Sequence, residues 1–108
     1  MNVFIVARYV IKPKNWQDII PSTKRRLKYM KDNPAKFKEM KSWKLLAPDL
    51  NGKAGEYVEI WEFESFSDYQ KWHDRETKDK EYMKLLNEEF MPLIVESTWS
   101  RELWASVM

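Results

Sequence analysis

The sequence predicts an α+β fold, a four-stranded antiparallel sheet with two helices on one face. Three observations carry this prediction. Val3 to Ile11 and Tyr57 to Glu64 are two strand-like runs with apolar residues on both faces, the pattern of central strands. The passage YVEIWEFESFSDYQKW, Tyr57 to Trp72, moves from strand to helix without a glycine, with Ser65 placed to cap the helix and Asp68 to close a capping box. PDLNGKAG, Pro48 to Gly55, is rich in turn formers and reads as a hairpin connection between two strands.

Each element follows in order. The first strand places Val3, Ile5, Ala7, Tyr9 and Ile11 on one face and Phe4, Val6 and Val10 on the other, and Pro13 ends it. Asn15 can cap a following helix whose apolar stripe is Trp16, Ile19, Ile20, Thr23, Leu27 and Met30. Pro21 falls inside that run and predicts a short turn from Trp16, then a break or kink, with the main helix running from Pro21 to about Asp32. Asn33-Pro34 stops it. A second strand between about Phe37 and Ala47 carries Lys38, Lys41 and Lys44, as an edge strand does. The second helix starts at Ser65 or Ser67, bends near residues 75–80 where Asp79 can recap it, and ends at Pro92. Val95 to about Leu103 is the fourth strand.

The order β-α-β-β-α-β is the split βαβ, or ferredoxin-like, arrangement, read here as a single domain over residues 1–108. Right-handed crossovers put the first and third strands in the middle. Two helices cover one side of such a sheet and leave Phe4, Val6, Val10 and part of the third strand facing water. At about 25 cal/mol per Å² of apolar area, covering them is worth several kcal/mol. A second copy of the sheet is the simplest cover, so a homodimer with facing sheets is expected.

Composition narrows the function classes. There is no cysteine, hence no disulfide, thiol nucleophile or thiolate metal site, and a reducing, cytoplasmic setting is expected. No run of about 18 apolar residues spans a membrane, and the apolar N-terminus lacks the basic flank and cleavage site of a leader. Two glycines leave no phosphate-cradling loop. Few glycines and many interspersed Lys and Glu also predict a thermostable protein. Residues 1–53 carry a net charge of +9 and residues 54–108 one of −7. The two halves neutralise each other, which weakens any long-range attraction to nucleic acid.

With these elements in place, the chain resembles the dimeric α+β barrel superfamily, which includes NIPSNAP-like proteins, antibiotic-biosynthesis monooxygenases and haem-degrading monooxygenases. The resemblance rests on YVEIWEFESFSDYQKW, on EYMKLLNEEFMPLI and on the closing RELW. It implies an apolar pocket between sheet and helices, and it admits a cofactor-independent monooxygenase that needs a shaped aromatic pocket with a few polar groups. The haem-degrading branch uses an Asn on the first strand, a Trp early in the second helix and a His farther along it. Ala7 and Tyr69 occupy the first two positions, and no histidine lies between Asp79 and Tyr82. That activity is not carried over, and no cofactor is expected.

The candidate residues are few. His73 is the only histidine and the best candidate for acid–base work. The plainer reading is a histidine at the helix border bonded to Asp74 or Glu76. His73 and Glu76 have the spacing of two metal ligands, but no further histidine or cysteine completes a site. Tyr9, Trp61, Tyr69, Trp72 and Met83 can line a pocket for a small aromatic or apolar molecule, or can simply fill the core. A non-enzymatic dimerisation or protein-interaction module is the alternative. An RNA-recognition module shares the element order and would use Tyr57, Trp61 and Phe63, yet Glu56, Glu59, Glu62 and Glu64 on the same strand would repel phosphates.

Overall fold

The computed structural model describes residues 2–50 and 52–108, so Asn51 of the predicted hairpin connection lies outside the described residues. The strands are β1 (Val3–Val10), β2 (Met40–Leu46), β3 (Glu56–Phe63) and β4 (Ser100–Ala105). They form one antiparallel sheet in the order β2-β3-β1-β4. The two runs that are apolar on both faces, β1 and β3, are the central strands, and lysine-bearing β2 lies at an edge. The helices pack on one face and the sheet is open, ending at β2 and β4.

Helix α1 (Ile19–Asp32) follows a 3-10 turn, Pro13–Asp18. The short turn expected ahead of the main helix is this 3-10 segment, and the change to α-helix falls at Ile19 rather than at Pro21. Pro21 is the third residue of α1, where a backbone N–H has no intrahelical acceptor to lose. Asn15 does not cap the helix; its amide donates to Asp18. The apolar stripe is also rotated from the one expected. Ile19, Ser22, Thr23, Arg26 and Tyr29 are buried, whereas Trp16, Ile20 and Leu27 are exposed. The cause is Arg26, which turns inward to a buried carboxylate and fixes the helix face.

Helix α2 (Phe66–Lys78) starts as its sequence dictates, with the Ser65 hydroxyl accepting from the Asp68 N–H at 3.1 Å. It ends at Asp79, whose carboxylate recaps the chain at the Tyr82 N–H and so begins α3 (Lys80–Lys84). A π-helical segment, Leu85–Phe90, and a 3-10 turn, Met91–Leu93, complete this arm.

Two strand limits differ from expectation. Phe37 belongs to a 3-10 turn, Pro34–Phe37, and β2 begins only at Met40. Val95 does not open the last strand, because a 3-10 turn at Glu96–Thr98 intervenes. The Thr98 hydroxyl accepts from the Val10 N–H at 2.9 Å there, taking the place of a strand partner. At the far end of the β2–β3 connection Gly55 has a φ of 81°, and a Cβ at that position would lie 2.6 Å from the Trp16 indole nitrogen.

The core has two centres under the helices. One gathers Trp61, Phe63, Trp72 and Tyr82, the other Tyr9, Ile19, Phe90 and Ile94. On the helix-free face, cross-strand pairing sets Phe4 beside Glu62 and Trp104, and Val6 beside Ile60 and Glu102. Val6 is buried by its neighbours, Phe4, Val10, Val58 and Ile60 are half-buried, and Trp104 is exposed. The face is therefore less bare than the alternation alone suggests, with charged residues among its apolar ones. Among the described residues no helix is long and apolar enough to cross a membrane.

Candidate functional site

The site begins with a charge in the core. On β3, Glu59 has the same parity as Tyr57, Trp61 and Phe63, so it points under the helices. Its cross-strand neighbour on β1 is the small Ala7, which leaves room for a side chain arriving from α1. Arg26 fills that room. It donates to both oxygens of Glu59, at 3.1 and 2.8 Å, and both side chains are almost fully buried. Tyr9 (2.7 Å), Trp43 (3.0 Å) and Trp61 (3.3 Å) donate to the same carboxylate. A buried ion pair needs this many partners to offset its lost hydration. Burial works against the Arg26 charge, but the Glu59 carboxylate outweighs it and holds the guanidinium protonated. Burial and the Glu59 charge push the Tyr9 phenol far above its ordinary range, so it is a neutral donor.

Beside this pair lies a cavity of about 210 Å³, between β3, β4, the end of α2 and the arm that follows. Trp61, Met83, Leu86, Phe90 and Trp99 give it apolar walls. Its polar lining is the Arg26–Glu59 pair together with His73, Glu76, Thr77, Asn87 and Arg101.

The second polar group is less well satisfied. The Glu76 side chain is 3% exposed, and its Oε2 makes no hydrogen bond. The nearest basic groups are His73 Nδ1 at 3.5 Å and Arg101 Nη2 at 3.8 Å. Burial raises the Glu76 carboxyl above its ordinary value, although Arg101 and His73 pull the other way. Arg101 is held on β4 over the rings of Trp61 and Trp72, at 5.2 and 5.7 Å. His73 stacks on Tyr69 at 5.6 Å, and its side chain is 38% exposed, so it stands between Glu76 and solvent.

Of the residues singled out from the sequence, His73, Trp61 and Met83 line the cavity. Trp72 is fully buried one layer behind, edge-on to Trp61 at 5.1 Å. Tyr9 lies beyond Glu59, and Tyr69 packs on the outer side of His73 against Phe63 and Phe66. These three shape the wall from behind. Reasoning from sequence passed over Arg26, Glu59 and Arg101, and took Glu76 only as a partner for His73. A signal existed for Glu59, which shares strand parity with three aromatics. None existed for Arg26, which sits on a helix rich in Lys and Arg. The aromatic face offered for base stacking, Trp61 and Phe63, is covered by the helices.

An open, antiparallel β-α-β-β-α-β sheet with a cavity beneath its helices defines the class of the protein at the level of fold, the α+β ferredoxin-like class. Solved structures that share this fold include proteins described as a NIPSNAP family protein and as a putative antibiotic biosynthesis monooxygenase. A NIPSNAP family protein from Agrobacterium tumefaciens superposes with a TM-score of 0.74 at 10% identity, covering 99% of this chain and 94% of its own. A putative antibiotic biosynthesis monooxygenase from Bordetella bronchiseptica gives 0.72 at 8% identity, over 99% and 98% of the two chains. SnoaB, a cofactor-independent oxygenase from Streptomyces nogalater, gives 0.67 at 14% identity, over 99% and 94%. No protein-family model matches the chain, and no curated protein is similar to it in sequence.

Proposed function

We propose that this chain binds a small, flat, aromatic molecule in the cavity beneath the helices and acts on it as a cofactor-independent oxygenase. The observation that carries the reading is the cavity itself: about 210 Å³ walled by aromatic and aliphatic side chains, with a few buried polar atoms, of Arg26, His73 and Glu76, among its lining residues. A cavity of roughly 150 Å³ holds benzene, so this one suits one or two fused rings. The likeness of fold to SnoaB, described as a cofactor-independent oxygenase, supports the choice of chemistry. His73 would exchange protons between the site and solvent. Trp61 and Met83 would contact the ring, with Tyr9, Tyr69 and Trp72 holding the wall in shape.

The reading includes a homodimer in which the helix-free faces meet, covering Phe4, Val6, Ile60 and Trp104. Titration with naphthalene derivatives tests the cavity, because Trp61 and Trp99 line it and their fluorescence should respond. Oxygen consumption with a dihydroxynaphthalene tests the activity. Saturable binding that His73→Ala weakens, together with oxygen uptake in the absence of any added cofactor, is the expected result. Binding without turnover would leave a ligand-binding protein, and no binding at all would favour the non-enzymatic interaction module.

A further inference from the structure

One group in the cavity is left without a task by this reading. Glu76 is buried on the inner face of α2, and its Oε2 accepts no hydrogen bond. The two basic groups near it, His73 Nδ1 at 3.5 Å and Arg101 Nη2 at 3.8 Å, make no hydrogen bond to it. An ionised carboxylate accepts several hydrogen bonds and donates none. A bare hydrocarbon in the cavity would leave this oxygen stranded. An anionic ligand would meet the charge of Glu76, while the two Nη groups of Arg26 are committed to Glu59 and Arg101 lies 3.8 Å from Glu76 itself. A neutral ring bearing one hydroxyl meets neither objection.

We propose that Glu76 makes the cavity selective for hydroxyaromatic ligands, its carboxylate accepting the hydrogen bond of the ligand hydroxyl while Arg101 lies beside that oxygen. The inference rests on the reading above that the cavity holds an aromatic molecule, and it adds the residue that would choose among such molecules. Met83, Leu86, Phe90 and the part of Trp61 that Arg101 leaves uncovered form the apolar wall against which the ring lies. The apolar walls are indifferent to the hydroxyl, and among the polar lining residues Glu76 is the buried acceptor without a hydrogen bond. Selectivity therefore resides in one acceptor, as in sites whose buried polar group is left unpaired by an analogue that lacks the matching donor.

The experiment is a calorimetric titration with 2-naphthol and with 2-methoxynaphthalene, which keeps the rings and the oxygen but has no O–H. Wild-type protein should bind 2-naphthol about 10- to 100-fold more tightly, the range for a hydrogen bond to a charged group. Glu76→Leu should bring the two affinities within about twofold of each other, with the methoxy compound bound as before. Glu76→Gln retains a neutral acceptor and nearly the same shape. It should keep a reduced preference of a few-fold, and it reports on the same point if the leucine variant fails to fold. Equal affinities in the wild type, or a preference that survives in Glu76→Leu, would overturn the role of Glu76 and leave the cavity reading standing. Failure of wild-type protein to bind either compound would overturn both.

Discussion

Arg26 and Glu59 meet through two hydrogen bonds, 3.1 and 2.8 Å long, with side chains only 2% and 1% exposed. The pair joins α1 to the centre of the sheet. It also sets which side of α1 faces inward and borders the cavity. Removing one member strands the other in a medium that solvates charge poorly.

Arg26→Met should therefore lower the unfolding free energy by about 3–5 kcal/mol, read from urea denaturation. Glu59→Leu should cost at least as much, because Tyr9, Trp43 and Trp61 lose their acceptor as well. The double substitution should cost less than the sum of the two, since neither charge is then left alone. Strict additivity would show that the pair is not coupled.

The pH dependence of stability should carry a signature of Glu76. Its folded-state pKa is raised by burial, so the folded protein holds this proton more tightly than the unfolded chain does. The stabilisation is complete below the unfolded carboxyl range and declines as pH rises through the raised folded value. Glu76→Gln removes that titration. Its stability relative to wild type should rise across the window and then level off. A difference that stays constant with pH would contradict the raised value.

Ser65→Ala should cost about 1 kcal/mol, the usual worth of an N-cap hydroxyl. The Asp68 N–H that now bonds to the Ser65 oxygen would lose its partner. A melting shift of a few degrees, with unchanged ligand binding, checks this. Loss of binding would mean that the start of α2 governs the site more than its geometry suggests.

Ile60→Lys places a charge beside Val6 on the helix-free face. If two copies meet there, light scattering should show a dimer for wild type at micromolar concentration and a monomer for the variant. A wild-type chain that remains a monomer would remove the facing-sheet dimer. Wild-type melting well above mesophilic temperatures would in turn bear on the thermostability that the composition suggests.

The sequence by itself determined the order of elements, the central place of β1 and β3, the edge place of β2, and the caps at Ser65 and Asp79. Each depends on neighbours a few residues apart: strand alternation, a side chain bonding a nearby N–H, a turn-forming run. Tertiary structure alone decided the inner face of α1, the late start of β4, and the polar half of the site. Arg26 and Glu59 lie 33 residues apart, and Glu76 is close to Arg101 only because the Arg101 side chain reaches from β4 to the rings of Trp61 and Trp72. A pattern of hydrophobicity assigns every charged side chain to solvent. Whether burial of such a charge is tolerable depends on the partner waiting there, and that partner comes from a distant part of the chain.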